Sequence, residues 1–215
     1  MKILVAEFVL PISSEPIEGG GVVIDGERIV AVGEKGDLIA QFPDAQLTDY
    51  GVAAILPGLI NCHSHLEVTS MRGALDSVEH DFKSWLLKLN DIRSGMSPDD
   101  IEAAATLGAS EGARAGVTCF GDIGRCGEAG LSALKRVGLR GVLFQETEFS
   151  PDSATAEDDL AKLKSKIDTL RRDATDLVEV GISPHSPYTV SRRLFELIAG
   201  YAADEGLKVT IHAAE

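Results

Sequence analysis

Residues Gly58–Gly73 have the sequence GLINCHSHLEVTSMRG. It joins a short apolar run to two histidines, His63 and His65, which are separated by one residue. Because side chains alternate along a β-strand, His63 and His65 point to the same side and Cys62 points to the other. The chain has only five histidines in 215 residues. Taken alone, the pair fits a shared ligand and ordinary polar residues equally well.

Outward from this stretch, short apolar runs alternate with longer helical patterns. The apolar runs are AAILPGLINCH, GVTCFGDI, RGVLFQETE, VEVGISPHS and LKVTIHAAE, and the helical patterns cover residues 98–116, 127–138, 155–174 and 190–206. Such alternation predicts a parallel sheet that is covered on both faces. Five units fit either a doubly wound sheet or a TIM-type (β/α)8 barrel, and no GxGxxG follows the first run, which weakens the dinucleotide-binding version.

The residues before this region have a different sequence pattern. Residues 1–55 contain short β-rich runs that are broken by Gly, Pro and Asp, and Asp25-Gly26 is the predicted turn of a hairpin. A complete (β/α)8 barrel takes about 250 residues. We therefore expect two domains, a β-rich segment of residues 1–55 and a barrel part of residues 56–215 that holds about strands one to five.

The composition limits the class of protein and its partners. With 44% hydrophobic and 25% charged residues, the chain is typical of a globular protein. A formal net charge of -14 argues against nucleic acid or an anionic membrane as the main partner, and no apolar stretch approaches the ~18 residues of a spanning helix. The three cysteines form no CxxC, which favours a reducing, cytoplasmic setting; Cys62 and Cys119 are expected to be small buried side chains.

Four of the five histidines follow predicted strands. His63 and His65 follow the first, His185 follows the fourth and His212 ends the fifth. In parallel α/β proteins, the carboxyl ends of the strands are where ligands bind. Imidazoles from different strands can share one metal ion, and Glu215 follows His212 by three residues. A carboxylate beside a metal-activated water is what metal-assisted hydrolysis requires.

Three segments carry a resemblance to a known family. LPGLINCHSHLE resembles the strand-one signature of the amidohydrolase superfamily. GISPHSPYTVS and VTIHAAE resemble the strand-four and strand-five motifs of one branch, which contains the deaminases of S-adenosylhomocysteine and methylthioadenosine and the triazine chlorohydrolases. The resemblance covers essentially the whole chain. It implies a TIM-type (β/α)8 barrel, of which about strands 1–5 are present, preceded by part of a small β-sandwich.

The resemblance also implies roles for individual residues. His63, His65 and His212 would be metal ligands, Glu215 the proton shuttle, and His185 a contact to the substrate or the developing oxyanion. Trp85 and Gln145 are further candidates for substrate binding, with core packing as the alternative for Trp85. The end of strand four carries no Lys for a carboxylated bridge between two metals, which favours a mononuclear site, while Glu146 at the end of strand three keeps a dinuclear site as the alternative.

The implied function is that of a metal-dependent hydrolase. We expect hydrolytic deamination of an amino-substituted heterocycle or nucleoside; the alternatives are hydrolysis of another C–N or C–Cl bond, as in the triazine branch, or a truncated, inactive chain. Adenosine-type deaminases carry an acidic residue before the tryptophan, and Ser84 stands there in this chain, which leaves the nucleoside open. The expected cofactor is one divalent transition metal, Zn²⁺ by ligand type, although Fe²⁺, Ni²⁺ and Mn²⁺ also suit imidazole. A homo-oligomer is possible, and the sequence does not decide the oligomeric state.

Overall fold

A computed structural model describes residues 1–213 of the chain. The chain forms two compact units that divide between residues 58 and 59, close to the domain boundary expected between residues 55 and 56. Among the described residues, none of the helices has the length and apolar composition needed to cross a membrane.

The first unit consists of short strands and one helix. These are β1 (Lys2–Val5), β2 (Phe8–Val9), β3 (Ile17–Glu18), β4 (Gly20–Asp25), β5 (Arg28–Glu34), α1 (Lys35–Gln41), β6 (Gln46–Asp49) and β7 (Ala54–Ile55). They form a four-stranded sheet in the order β5-β4-β1-β6 and a three-stranded sheet in the order β3-β2-β7. The unit is therefore β-rich, as the sequence predicts.

The predicted hairpin and an unpredicted helix define the small core of this unit. Strands β4 and β5 pair antiparallel around a turn at which Gly26 has a φ of 56°, a left-handed conformation that glycine adopts at no steric cost. The helix α1 follows directly and buries Leu38 against Ile3, Val5 and Val23. A single apolar turn of this kind gives too little periodicity to be recognised in the sequence.

The second unit alternates parallel strands with helices. Its strands are β8 (Leu59–Ser64), β9 (Val117–Gly124), β10 (Arg140–Glu146) and β11 (Val178–Ser183), and its α-helices are α2 (Phe82–Ser94), α3 (Pro98–Arg114), α4 (Gly127–Val137), α5 (Ala156–Asp173) and α6 (Arg192–Glu205). Short 3₁₀ helices lie at Leu66–Met71, Asp76–Val78 and Ser153–Thr155. Helix α3 begins at the predicted site, where the Ser97 hydroxyl accepts the Asp100 N–H in a capping box.

The strand order separates the two predicted architectures. The strands lie side by side in the order β11-β10-β9-β8, so that strands adjacent in the sheet are also consecutive along the chain, and every pair is parallel. A doubly wound sheet reverses its order at a switch point, and this sheet has no such reversal among residues 59–213. The prediction of a partial (β/α) barrel is therefore confirmed.

The fifth apolar run lies beside β11 but is less regular than predicted. Val209 forms an isolated parallel bridge with Ile182. The Ile182 N–H donates to the Lys208 carbonyl at 3.0 Å, and the Thr210 N–H donates to the Ile182 carbonyl at 3.1 Å. These bonds are those of a parallel ladder, so the run brings His212 to the same edge of the sheet as the ends of the earlier strands.

Within residues 1–213, strand β8 pairs on one side only, with β9, and the two strands lie very close together. A methyl group on Gly121 would stand 2.6 Å from the Cys62 carbonyl oxygen, so only glycine permits this approach. The prediction that Cys62 is buried is wrong, because its side chain lies on β8, the edge strand of the described sheet, and is exposed. Cys119, on β9 between two neighbouring strands, is half-buried.

Candidate metal centre

Three imidazoles converge at the carboxyl end of the sheet. His63 lies on β8, His65 follows that strand directly, and His212 follows the fifth run. The ring centroids are 5.1 Å apart for His63 and His65, 5.0 Å for His63 and His212, and 5.1 Å for His65 and His212. One ring nitrogen of each histidine lies within 4.8 Å of one from each of the others. These spacings allow one ion to contact all three rings.

Hydrogen bonds to carbonyl groups fix the tautomers of two of these rings. His65 Nδ1 lies 2.9 Å from the Ile123 carbonyl oxygen, and His212 Nδ1 lies 3.2 Å from the His185 carbonyl oxygen. Since a carbonyl oxygen only accepts, each Nδ1 carries a proton and, in the neutral ring, each Nε2 carries a lone pair. The two Nε2 atoms are 3.2 Å apart. Facing lone pairs repel unless a cation lies beside them, and this is the usual arrangement of metal-binding histidines.

The surroundings of His65 also favour the neutral imidazole. Burial lowers its pKa, and the nearby His212 and His63 lower it further, against opposing contributions from the Ile123 carbonyl and Glu67. Metal ions bind the neutral ring, so a lowered pKa keeps His65 competent to bind at lower pH. Three imidazole nitrogens fit a divalent transition metal better than Mg²⁺ or Ca²⁺, which prefer oxygen ligands.

Asp122 holds the backbone that follows the first two histidines. Its Oδ1 accepts the Leu66 N–H at 2.8 Å and the Ser64 hydroxyl at 3.2 Å. The side chain is buried, and burial raises its pKa to about 7. Asp122 therefore links β9 to both sides of His65 without contacting the imidazole.

Glu67, two residues after His65, supports the site from further away. Its Oε1 accepts from Arg93 Nη1 at 3.0 Å, and its Oε2 accepts the Cys126 N–H at 2.8 Å. These bonds tie the segment after β8 to helix α2 and to the start of α4. Glu67 is 4% exposed and affects His65 through its charge rather than through a hydrogen bond.

A cavity of about 450 Å³ opens beside the histidines. His65, His185, His212 and Glu146 form its polar end, and its apolar wall comes from Met71, Leu75, Trp85, Leu86 and Leu89. Two arginines, Arg93 and Arg125, also line it. The volume lies within the range of small-molecule binding sites, and a mostly apolar wall with a few polar groups is their usual composition.

The predicted substrate-binding residues fall in different places. Trp85 and His185 line the cavity, but Gln145 does not. Gln145 is fully buried, and its Nε2 donates to the carbonyl oxygens of Arg125 and Glu146 at 3.1 and 2.9 Å. The prediction for Gln145 is corrected: alternation along β10 turns it toward helix α4 and turns Glu146 toward the cavity. Glu215, the predicted proton shuttle, lies outside the described residues.

Glu146 also lines the cavity, although the sequence analysis did not propose it as a substrate-binding residue. Its Oε2 accepts from Arg125 Nε at 3.3 Å, and its Oε1 lies 3.7 Å from His212 Nδ1. Burial raises its pKa to about 7 against the opposing effect of Arg125. Its position at the end of β10 was the signal in the sequence that it could face a binding site. Arg93 on helix α2, which also lines the cavity, gave no such signal, because a helical pattern does not show which polar residue faces a cavity.

Comparison with known proteins gives matches over almost the whole chain. Residues 54–215 match a model described as the amidohydrolase family, and residues 20–45 match one described as an imidazolonepropionase-like composite domain of bacteria. The chain is 34% identical over 196 residues to an aminodeoxyfutalosine deaminase of Deinococcus radiodurans, which covers 91% of this chain and 45% of that protein. It is 29% identical over 202 residues to a 5-methylthioadenosine/S-adenosylhomocysteine deaminase of Nitratidesulfovibrio vulgaris, covering 93% and 45%.

A solved structure shows the same fold. The chain superposes on a variant of atrazine chlorohydrolase from Arthrobacter aurescens, crystallised with zinc and atraton, with a TM-score of 0.86 and 20% identity over 100% of this chain and 53% of that one. The chain thus spans about half the length of the curated relatives it matches. The zinc belongs to that structure, and in this chain the three histidines could hold a metal ion.

Proposed function

The chain belongs to the amidohydrolase family, and we propose that the protein is a metal-dependent deaminase of an amino-substituted heterocycle or nucleoside. The observation that carries the proposal is the pair of Nε2 atoms 3.2 Å apart, each on a ring whose Nδ1 is committed to a carbonyl group. Relatives named as deaminases support the reaction class.

His63, His65 and His212 would hold the metal, for which we propose Zn²⁺ on the basis of the imidazole donor set. Bound there, a divalent metal supplies Lewis-acid chemistry, since it makes water nucleophilic at neutral pH. The proposed role of Glu215 is to take a proton from the attacking water and to deliver it to the leaving amine. The carbonyl partners of His65 and His212 would keep both rings oriented throughout.

The cavity residues would bind and orient the heterocycle. Trp85 offers an indole face at the apolar wall, against which an aromatic ring can stack. His185 offers a ring nitrogen at the polar end beside His212, whose ring centroid is 5.1 Å away. Substrate bound between these two groups would lie at the polar end of the cavity, beside the histidines that would hold the metal.

A second candidate is hydrolysis of a C–Cl bond or of another C–N bond. The likeness to atrazine chlorohydrolase favours it, since the same fold there belongs to an enzyme named for that reaction. Both candidates use the same three histidines. They differ in the leaving group, so the released product distinguishes them.

Product release is therefore the test. We expect the zinc-loaded protein to release ammonia from at least one member of a panel of amino-purine nucleosides and aminopterins. Glu215→Gln should lower the rate by about 10²- to 10⁴-fold, the usual contribution of a general acid–base. Ammonia is measured with a coupled enzyme assay, and chloride from chlorotriazines is measured by ion chromatography.

His80→Ala is the matched control, because His80 is exposed and lies outside the metal-binding set. It should retain the activity that His65→Ala loses. Chloride without ammonia would favour the second candidate. Neither product, from a protein shown to contain metal, would contradict the proposal for this chain.

A further inference from the structure

Two arginine side chains meet at one amide oxygen beside the cavity. Arg93 Nη2 donates to Asn90 Oδ1 at 2.5 Å, and Arg125 Nη1 donates to the same oxygen at 3.4 Å. Asn90 Nδ2 donates to the Leu86 carbonyl at 2.9 Å, one turn earlier in helix α2, which leaves the amide oxygen facing the arginines. Helix α2 and the segment after β9 thus bring two positive charges together at a neutral acceptor.

Each arginine also pairs with a carboxylate that is more deeply buried than the arginine itself. Glu67 Oε1 accepts from Arg93 Nη1 at 3.0 Å, and Glu146 Oε2 accepts from Arg125 Nε at 3.3 Å. The carboxylate side chains are 5% and 6% exposed, against 15% for Arg93 and 23% for Arg125. All four side chains line the cavity. The arginines therefore contribute most of the accessible surface of this group.

Both guanidinium groups keep hydrogen-bond donors that the protein does not use. An arginine has five N–H donors, and among residues 1–213 Arg93 and Arg125 each use two, one on a carboxylate oxygen and one on the amide oxygen. Neither forms the two parallel bonds of a bidentate pair. Arg72, which also lines the cavity, differs, because its Nη1 and Nη2 donate to the two oxygens of Glu111 at 3.2 and 2.6 Å. Arg93 and Arg125 can therefore accept a further anionic partner.

We propose that Arg93 and Arg125 bind a negatively charged oxyanion group, a carboxylate or a phosphate, which the heterocyclic substrate carries. Two cations that share one neutral oxygen repel each other, and an anion that accepts from both relieves this repulsion. Guanidinium donors also match the oxygens of carboxylate and phosphate groups in geometry. The inference rests on the proposed function only in taking the substrate to be an amino-substituted heterocycle.

The arginine pair lies next to the candidate metal centre. Glu146 connects the two, because its Oε2 accepts from Arg125 Nε and its Oε1 lies 3.7 Å from His212 Nδ1. One cavity of about 450 Å³ is lined by both groups. An oxyanion attached to the heterocycle directly or through a short linker would therefore reach the arginines while the ring lies beside the histidines.

The test compares ligands that differ in charge and needs no turnover. 6-Aminonicotinate and 6-aminonicotinamide share one amino-substituted ring and differ in a carboxylate against a neutral amide. Adenosine 5′-monophosphate and adenosine make the same comparison for a phosphate. Dissociation constants are measured by isothermal titration calorimetry on the full chain, from which metal has been removed so that no ion binds the anion. At pH 8 the imidazoles are neutral and do not attract it either.

We expect the charged member of at least one pair to bind about 10- to 100-fold more tightly than the neutral member, which is the effect of hydrogen bonds to a charged group. The pair that shows the preference identifies the oxyanion. Arg125→Gln should lower this preference about tenfold. Arg125→Lys keeps the charge beside Glu146 and should lose part of the preference, because an ammonium lacks the planar fork.

Arg140→Gln is the matched control, because Arg140 is exposed and begins β10, at the opposite end of that strand from Glu146. It should leave the preference unchanged. Equal affinities within both ligand pairs for the wild type would overturn the inference, as would a preference that Arg125→Gln and Arg140→Gln retain equally. A charge preference without ammonia release would contradict the proposed function alone. Ammonia release from neutral heterocycles without a charge preference would contradict this inference alone.

Discussion

Replacing His212 with alanine is expected to lower the affinity of the chain for zinc by more than about 100-fold. Loss of a residue that merely supports a metal ligand costs about 10- to 100-fold in affinity, and His212 is proposed as a ligand itself. Its Nε2 lies 3.2 Å from that of His65, so its removal leaves His65 without its neighbouring donor. The affinity is measured by competition with a chromophoric chelator.

His80→Ala is the control for this experiment as well. His80 is exposed in the turn before helix α2, and it takes no part in the histidine cluster. We expect its affinity to equal that of the wild type, and we expect both variants to unfold near the wild-type temperature. Equal zinc affinities for His212→Ala and His80→Ala would rule out His212 as a ligand.

The free energy of unfolding is expected to depend on pH through the buried Asp122 carboxyl. Burial raises the pKa of this carboxyl from 3.8 to about 7 in the folded chain. Between these values the folded state binds the proton and the unfolded state does not, so the free energy of unfolding falls as pH rises through this window. Asp122→Asn keeps the side-chain oxygen that accepts the Leu66 N–H and removes the titration. The fall in stability between pH 4 and pH 7 should shrink by roughly 2–4 kcal/mol.

Urea unfolding at a series of pH values, with a chelator present, measures this difference. Asp168→Asn, which removes an exposed carboxylate from helix α5, controls for the lost negative charge. Glu146 also has a pKa raised to about 7, so part of the pH dependence should remain in Asp122→Asn. Identical pH profiles for Asp122→Asn and the wild type would show that the Asp122 carboxyl does not titrate in this window.

The barrel part of the chain was predictable because local and global signals agree there. Apolar strands, helical patterns and strand-end histidines all point to one parallel sheet. Helix α3 illustrates this, since both the helical pattern in the sequence and the helix in the structure begin at Pro98. His63, His65 and His212 lie close together because of the order of the strands in the sheet. The resemblance implied this order, and the structure shows it.

The corrections arise where a side chain's direction depends on tertiary structure. Gln145 and Glu146 are both polar and both end β10, and only the phase of the strand decides that Glu146 faces the cavity. Cys62 alternates with His63 as expected, but its exposure depends on what covers β8. Neither the phase of a strand nor its covering elements can be read from a few residues in isolation.

Anomalous difference maps can show whether the three histidines hold one metal ion. Crystals of the chain are grown with zinc, and data are recorded on both sides of the zinc absorption edge. We expect one strong peak about 2.0–2.1 Å from a ring nitrogen of each of His63, His65 and His212. A peak that contacts fewer than two of these histidines, or no peak near them in crystals that contain zinc elsewhere, would show that they do not share a metal ion.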